Sequence, residues 1–317
     1  MRIIDAATVD RVADWPRIVA ALRAGHRHPK PQIGDHYFSD GGNGILIRAA
    51  WITGLGSCVK AATVFPRNVE RTPPMASIQG SVLLFDPDTG ATLAVIDGAA
   101  LTRWKTAGDS ALGSVLLSRP DARVLLMVGA GNMSEPLIRA HVSVRPSLEQ
   151  IVIWNRTLSR SNAVAGRLGD LHRQVTVAGE LEAAVRSADI VSTATMSRAP
   201  LVRGAWLKPG AHLDLVGAYT PDMREADDDA MRRARVFVDF RATTVREIGE
   251  LMIPIRNGAI AESSVLGDLY DLTAGSAGRV STNDITLFKN GGGAHLDLMT
   301  ALTVFEATTN AGGVQPS

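Results

Sequence analysis

Apolar positions in the first third of the chain alternate between helical and strand-like spacing, with glycine-rich turns between them. Apolar residues recur at helical spacing near the start, and short apolar runs bounded by Gly, Pro and Asp follow. The pattern predicts helices at 10–24 and 102–117 and strands at 44–50, 59–65, 80–86 and 91–96. The last two strands form a hairpin, because Asp, Pro and Gly fill the turn between them. A mixed α+β domain is therefore expected here.

From about residue 121 the pattern changes to strands that alternate with helices. The run 124–128 is continuously apolar, as expected of a parallel strand buried on both faces. The pattern then predicts strands at 150–154, 175–177, 189–193, 213–216 and 236–239, with helices at 159–168 and 181–187. Such alternation predicts a doubly wound parallel sheet of the Rossmann type.

The two patterns together predict an α/β protein in which a Rossmann domain is inserted into a second, α+β domain. We expect residues 118–294 to form the Rossmann domain and residues 1–117 plus 295–317 to form the substrate-binding domain. In this arrangement a C-terminal helix, predicted at 296–309, returns to the first domain. A chain of 317 residues exceeds the usual size of one domain, and its 45% of hydrophobic residues suffices for two cores.

Charge and composition restrict the partners of the chain. The 33 basic residues nearly balance the 32 acidic ones, which argues against nucleic acid as a partner. The single cysteine, Cys58, allows no intramolecular disulfide, and the seven histidines lack metal-binding spacing, so we expect no metal. No apolar run is long enough to cross a membrane and no leader pattern is present, so a soluble, cytoplasmic protein is expected.

A glycine-rich segment lies between the buried strand 124–128 and the helix that follows it. Its residues are Gly129, Ala130, Gly131, Asn132 and Met133. The glycines permit a tight turn and let backbone N–H groups approach a pyrophosphate at the positive end of the helix. Ser134 replaces the third glycine of the G-x-G-x-x-G pattern, which is a small change. The strand–turn–helix context predicts a dinucleotide site.

The residues after the second Rossmann strand indicate which dinucleotide binds. NAD enzymes usually place an acidic residue here, which would repel a 2′-phosphate. This chain instead has Asn155, Arg156, Thr157 and Arg160. Arginine suits a phosphate because its planar fork binds two oxygens. NADP(H) is therefore predicted, with Ala194 and Thr195 beside it at the end of a further parallel strand.

With these motifs located, the chain resembles the ornithine cyclodeaminase/mu-crystallin family over nearly its whole length. The matching segments are 56–60, 64–68, 83–86, 89–90, 101–102, 105–107, 129–131, 154–157, 217–218, 221–225, 288–289 and 291. The resemblance implies a homodimer formed through the non-Rossmann domain, and small anionic imino or amino acids as substrates. Members include ornithine cyclodeaminases, cyclic ketimine reductases, alanine dehydrogenases and mu-crystallin.

The resemblance also assigns cations to the substrate. Lys60 matches the family's lysine near the substrate carboxylate and reacting carbon. Lys105 stands where the family has a carboxylate-binding arginine, so the charge is kept and the bidentate fork is lost. A second family arginine, expected near Gly34, has no equivalent, and we expect Arg48 to replace its charge.

One departure from the family bears on the reaction. Cyclodeaminases carry a catalytic aspartate where this chain has Tyr219, and Asp222 does not replace it. This difference weakens the interpretation as an ornithine cyclodeaminase.

The favoured hypothesis is NADPH-dependent reduction of Δ1-pyrroline-2-carboxylate or Δ1-piperideine-2-carboxylate to proline or pipecolate. Lys60, Lys105 and Arg48 would hold the carboxylate, and the imine nitrogen would take a proton from Lys60, a water molecule or Asp109. His295 is a further residue that could face the nicotinamide. The alternatives are an ornithine cyclodeaminase, an alanine dehydrogenase, and a mu-crystallin-like protein that binds NADPH and a small ligand without turnover.

Overall fold

The computed structural model describes residues 1–311 and divides into two compact units, each with its own sheet. The first unit comprises Met1–Thr106 and the chain from Gly293 onward, and the second comprises Ala107–Gly292. The first division falls inside a helix, whereas the sequence analysis placed the boundary after it, at residue 117. The predicted bounds of the Rossmann and substrate-binding domains therefore remain a prediction, because a division by compactness does not test them. Among the described residues, no helix combines the length and apolar character of a membrane span.

A six-stranded sheet forms the centre of the first unit. Its strands are β1 (Arg2–Ile4), β2 (Gln32–Ser39), β3 (Gly44–Ile52), β4 (Gly56–Val64), β5 (Ile78–Phe85) and β6 (Thr92–Asp97). Their order is β1-β6-β5-β4-β3-β2, and only β1 runs parallel to its neighbour. The four strands predicted in this region, β3 to β6, are confirmed. Strand β2, whose polar residues and glycine hide the strand pattern, and the short β1 were not predicted.

Four α-helices and one 3-10 helix accompany this sheet. They are α1 (Ala6–Val12), α2 (Trp15–Gly25), α3 (Gly98–Leu117), α11 (Ala294–Ala311) and the 3-10 helix Pro66–Glu70. The prediction of one helix over 10–24 is wrong, because Asp14 has extended backbone and caps α2 by accepting a hydrogen bond from the N–H of Arg17. The predicted return of the C-terminal helix is confirmed, since α11 packs on α2, β3 and β4.

The two faces of the first sheet differ in burial. Residues directly opposite one another in antiparallel strands share a face. The face toward α11 buries side chains such as Ala50, Cys58 and Val82. On the other face Phe38 and Trp51 are more than half exposed. That face carries a groove of about 320 Å³ with lining residues that include Gln32, Gly34, Trp51, Val59 and Phe85.

Two glycines bring the start of α3 against the sheet. A Cβ at Gly80 would overlap the carbonyl oxygen of Ala61 on the neighbouring strand, and one at Gly98 would lie 2.8 Å from the backbone of Gly80. The hydroxyl of Thr102 then donates to the Gly98 carbonyl at 2.6 Å, in the first turn of the helix. This close approach positions Thr102 near β4.

The second unit contains an eight-stranded parallel sheet. Its strands are β7 (Val124–Val128), β8 (Gln150–Trp154), β9 (Gln174–Val177), β10 (Ile190–Thr193), β11 (His212–Leu215), β12 (Ala234–Val238), β13 (Val265–Gly267) and β14 (Ile285–Lys289). Their order is β13-β12-β14-β11-β10-β7-β8-β9. The predicted Rossmann sheet is confirmed in β7 to β12. The sequence analysis missed β13 and also β14, which is inserted between β11 and β12.

Helices connect these parallel strands. They are α4 (Ser134–Val144), α5 (Leu158–Ala165), α6 (Leu181–Ser187), α7 (Asp228–Arg233), α8 (Arg241–Thr244), α9 (Gly249–Arg256), α10 (Leu269–Ala274) and the 3-10 helices Gly169–Leu171, Gly204–Trp206 and Glu262–Ser264. The chain builds β7, β8 and β9 outward in one direction and then returns to place β10 on the other side of β7. Open α/β sheets bind ligands at the carboxyl ends of the strands where the chain reverses its direction. In this sheet those strands are β7 and β10.

We predict that Gly80→Ala lowers the free energy of unfolding by about 2–3 kcal/mol, because the added methyl group meets rigid backbone rather than a side chain that can move. Urea unfolding followed by tryptophan fluorescence measures the change. Gly42→Ala is the control in the same unit, since its Cβ would meet only a side-chain oxygen at 3.7 Å. Equal stability of the two variants would show that the close approach is not required.

Candidate active site

The two glycines of the loop after β7 differ in backbone conformation and in the space around them. Gly129 has a φ of +113°, and a Cβ there would lie 2.7 Å from the carbonyl oxygen of Ala194. The N–H of Gly129 donates to the Trp154 carbonyl at 2.8 Å, which ties the loop to β8. At Gly131, by contrast, a Cβ would meet nothing within 4 Å. The first glycine thus permits packing against the end of β10, and the second leaves open space over the backbone.

The same loop presents backbone donors at the start of α4. No described residue accepts a hydrogen bond from the N–H groups of Ala130, Gly131 and Asn132. The buried Ser134 donates from its hydroxyl to the Gly131 carbonyl at 2.5 Å and so fixes the turn. Met133, the N-cap residue, makes no side-chain cap. Free donors at the N-terminus of an 11-residue helix suit an anion such as a pyrophosphate.

A cavity of about 390 Å³ in the second unit lies over this loop. Its lining consists of Gly129, Ala130, Gly131, Trp154, Asn155, Arg156, Arg160, Ala194, Thr195, Met196, Ser197 and Leu201. Most predicted cofactor residues are therefore brought together, whereas Asn132, Met133 and Thr157 are not among the lining residues. The Asn155 side-chain amide donates to the Thr157 carbonyl at 3.0 Å, so Thr157 helps to hold the turn. Arg156 and Arg160 are exposed and form no ion pair within the described residues.

A buried carboxylate that the sequence analysis missed joins the ends of β10 and β11. Glu225 has no exposed surface and accepts hydrogen bonds from the Thr193 hydroxyl and from both the N–H and the hydroxyl of Thr195, all at 2.7 Å. It also accepts the N–H of Gly217 at 2.6 Å. Since a Cβ at Gly217 would overlap the Thr195 backbone, the two strand ends meet there. Glu225 thus holds Thr195 in place at the cavity.

Two further buried charges support the same edge of the sheet. Glu250 accepts the N–H of Glu225 at 2.7 Å and that of Ala226 at 3.0 Å. Lys289 donates to the carbonyls of Leu215 at 2.9 Å and Asn290 at 2.8 Å. Burial, together with the nearby Glu225 charge, raises the pKa of Glu250 to about 7, and burial lowers the pKa of Lys289. These contacts give a structural role to Glu225 in the matching segment 221–225 and to Lys289 in the matching segment 288–289.

In the first unit, two predicted cations face each other on the buried side of the sheet. Arg48 on β3 lies opposite Lys60 on β4 and opposite Asp35 on β2. The Nε and Nη2 atoms of Arg48 each lie 2.8 Å from the Oδ2 atom of Asp35. Asp35 follows Gly34 on β2, and its carboxylate therefore turns the Arg48 guanidinium toward β2. The prediction that Arg48 supplies the charge missing near Gly34 is consistent with this direction and stays a prediction.

Lys60 is held by two partners from distant parts of the chain. Its ammonium donates to the Thr102 hydroxyl at 2.6 Å and to the Oδ1 atom of Asp297 at 3.1 Å. The Lys60 side chain is 11% exposed, and Asp297 is fully buried. Asp297 was missed by the sequence analysis. Its only signal was an acidic residue between two leucines in the first turn of α11.

A third predicted cation lies close to a neutral imidazole. Lys105 is 5% exposed, and the His295 side chain is fully buried. Burial holds the pKa of His295 well below its usual value, and the charges of His26, Lys105 and Arg48 lower it further. His295 is thus an uncharged imidazole among cations of the first unit. The fourth predicted residue, Asp109, lies one turn after Lys105 on α3, belongs to the second unit and is fully buried.

The position of the cyclodeaminase aspartate carries no carboxylate. Tyr219 occupies it with a side chain that is more than half exposed. Asp222 is at the surface, where it accepts hydrogen bonds from Arg198 Nε at 2.6 Å and the Thr220 hydroxyl at 2.5 Å. Asp222 is thus held in a surface ion pair, as expected if it does not replace the missing acid. Residues 1–311 contain no cluster of three or more His, Cys, Asp or Glu side chains suited to a metal.

Two reductases are similar to the chain. A Δ1-pyrroline-2-carboxylate reductase of Paracoccus denitrificans is 49% identical over 288 residues, 90% of this chain and 90% of that protein. The crystal structure of the iminosuccinate reductase of the same species, in complex with NAD⁺, has a TM-score of 0.89 at 28% identity and covers 99% of this chain and 98% of that one. The protein is an oxidoreductase.

The family follows from the match of a family model to most of the chain. The model described as the ornithine cyclodeaminase/mu-crystallin family matches residues 47–312. The chain belongs to this family, which confirms the resemblance found in its short segments. The Δ1-pyrroline-2-carboxylate reductase of Thermococcus litoralis, solved with NADH and L-proline, has the same fold, with a TM-score of 0.91 at 24% identity and full coverage of both chains.

We predict that the free energy of unfolding falls as the pH rises from about 4.5 to about 7, by on the order of 1–3 kcal/mol from Glu250 alone. The folded protein keeps the Glu250 proton to a higher pH than the unfolded chain does. This contribution is therefore complete below the ordinary pKa of 4.5 and lost above about 7. Urea unfolding at pH 5 and pH 8 should show a smaller difference in Glu250→Gln than in the wild type. An equal difference would contradict the assignment.

Proposed function

We propose that the protein reduces a small cyclic imino acid, Δ1-pyrroline-2-carboxylate or Δ1-piperideine-2-carboxylate, to proline or pipecolate with NADPH. The observation that carries the proposal is the group of cations Arg48, Lys60 and Lys105 in the first unit, in which Arg48 pairs with Asp35, Lys60 pairs with the buried Asp297 and Lys105 lies close to a neutral His295. Such a group suits a small carboxylate. The 49% identity to a Δ1-pyrroline-2-carboxylate reductase supports the same substrate class.

The loop after β7 would hold the coenzyme. The N–H groups of Ala130 and Gly131, together with the open space over Gly131, fit a pyrophosphate. Arg156 and Arg160 at the cavity, with no acidic residue at the end of β8, favour a 2′-phosphate over a free ribose hydroxyl. When bound, NADPH supplies the hydride that adds to the C=N carbon.

The residues of the chain would supply orientation, charge and a proton. Lys60, Lys105 and Arg48 would hold the substrate carboxylate and so fix the imine plane for hydride addition. The imine nitrogen gains a proton from Lys60, from a water molecule or from Asp109. The absence of a carboxylate at Tyr219 disfavours the deaminating reaction of the cyclodeaminases.

We also propose that the protein is a homodimer and acts in the cytoplasm. The exposed face of the first sheet carries Phe38, Trp51 and a groove of about 320 Å³, and offers an apolar surface for a second copy. Cys58, the single cysteine, is buried, as suits a chain without disulfides.

A substrate panel tests the reaction. Purified protein would be mixed with NADPH and five- or six-membered cyclic imino acids, and the nicotinamide absorbance followed. Ornithine with NAD⁺ and pyruvate with ammonium and NADPH test the cyclodeaminase and alanine dehydrogenase activities. Oxidation of NADPH by a cyclic imino acid alone supports the proposal. Binding of NADPH without turnover of any imino acid would instead indicate a storage protein.

We predict that Lys60→Met reduces turnover of the imino acid to background, because it removes a cation from the carboxylate while leaving the second unit unchanged. NADPH affinity, measured by the change in nicotinamide fluorescence, should stay within about twofold of the wild type. Turnover equal to that of the wild type would remove Lys60 from the mechanism.

We predict that Arg156→Asp shifts the ratio of kcat/KM for NADPH to that for NADH by about 100-fold or more toward NADH, since a carboxylate repels the 2′-phosphate and accepts the ribose hydroxyl. Arg160→Asp is the matched comparison on the same cavity. An unchanged ratio in both variants would show that the 2′-phosphate is held elsewhere.

A further inference from the structure

We infer that Asp297 is a positioning residue, which aims the Lys60 ammonium at the substrate carboxylate. The inference rests on the proposed function and assigns a task to a residue of α11 that the sequence motifs did not single out. It follows from the hydrogen bonds of one ammonium group and from the burial of its partners.

Two of the three N–H donors of the Lys60 ammonium bind acceptors of the protein. An ammonium has three N–H donors and no acceptor. One N–H donates to Asp297 Oδ1 at 3.1 Å and one to Thr102 Oγ1 at 2.6 Å. The Thr102 hydroxyl donates its own hydrogen to the Gly98 carbonyl, so toward Lys60 it acts as an acceptor. No described residue accepts the third N–H of Lys60, which leaves it for a ligand.

The desolvation of the Asp297 carboxylate is unfavourable, so a role in stabilising the fold does not by itself account for this residue. It has no exposed surface, and its Oδ2 atom has no hydrogen-bond partner within the described residues. A buried ion pair of this kind rarely stabilises a protein more than apolar residues of similar size would. Its value therefore lies in what it does to the ammonium.

The surroundings leave Asp297 as the anion that faces Lys60. Cys58 lies on the same strand face, two residues before Lys60, and burial raises the pKa of its thiol, with the Asp297 charge adding to the effect. Cys58 is therefore a neutral thiol. Arg48, opposite Lys60 in the sheet, pairs with its own carboxylate, Asp35. Each cation thus has a separate counter-ion that fixes its direction.

Two fixed N–H groups define where the third points. With both partners in place, a lysine stem that is otherwise free to rotate keeps one orientation, so little rotational freedom is lost when the carboxylate binds. Without the Asp297 charge, the ammonium keeps the Thr102 contact and gains freedom to turn away from the substrate.

The test compares steady-state kinetics of the wild type and Asp297→Asn, and it compares imino-acid binding by calorimetry in the NADP⁺-loaded wild type, Asp297→Asn, Lys60→Met and the double variant. Asparagine keeps the shape and one acceptor but removes the charge. We expect Asp297→Asn to raise KM for the imino acid by roughly 10- to 100-fold, with a smaller effect on kcat. NADPH affinity should not change. In the Lys60→Met background, where residual imino-acid binding is measured by calorimetry, Asp297→Asn should have no further effect.

Thr303→Val is the matched control on α11, since the Thr303 hydroxyl donates only to the Met299 carbonyl of its own helix. Its KM should equal that of the wild type. If Asp297→Asn does not fold, Thr102→Val takes its place, because it frees the same ammonium from the other side.

Three results separate the possible failures. A wild type that reduces no imino acid overturns the proposed function. A wild type that is active, with an unchanged KM in Asp297→Asn, overturns the positioning role alone. Equal effects of Asp297→Asn with and without Lys60 would also overturn it, since a role in overall stability does not depend on that lysine.

Discussion

The buried contact between the Lys60 ammonium and the Asp297 carboxylate joins distant parts of the first unit. It joins β4 to α11, which are separated by most of the chain, and it needs Thr102 at the start of α3 as its second partner. Charges taken out of water are tolerated only when partners with good geometry satisfy their hydrogen bonds. The glycines that let α3 approach the sheet place Thr102 beside Lys60, and the return of the last helix places Asp297 there.

In the second unit the central buried charge is a carboxylate rather than an ammonium. Glu225 is buried and accepts four hydrogen bonds from the ends of β10 and β11, and Glu250 in turn holds the backbone of Glu225. The cavity over the loop after β7 is therefore bounded by Thr195, which Glu225 holds in place, and by the exposed Arg156 and Arg160, which form no ion pair within the described residues. In both units a residue proposed to meet the ligand, Lys60 in the first and Thr195 in the second, is thus held by a buried carboxylate.

Local signals predicted much of this protein. The apolar runs located β7 to β12, and the glycines between β7 and α4 marked the loop, because buried parallel strands and tight turns depend on neighbouring residues. The missed elements depend on distant ones. Strand β14 is as long as β7, and only the sheet order shows that it lies between β11 and β12. The same reason hid Asp297 and Glu225, since nothing near an acidic residue in the sequence reveals that its partners come from β4 or from Gly217.

The central claim is that the cations Arg48, Lys60 and Lys105 of the first unit bind the carboxylate of a planar ring. Calorimetric titration of the NADP⁺-loaded protein with pyrrole-2-carboxylate, and separately with pyrrole-2-carboxamide, tests it most directly. The account predicts that the acid binds at least about tenfold more tightly than the uncharged amide, and that Lys60→Met loses this preference. Equal affinity of the wild type for the acid and the amide would contradict it.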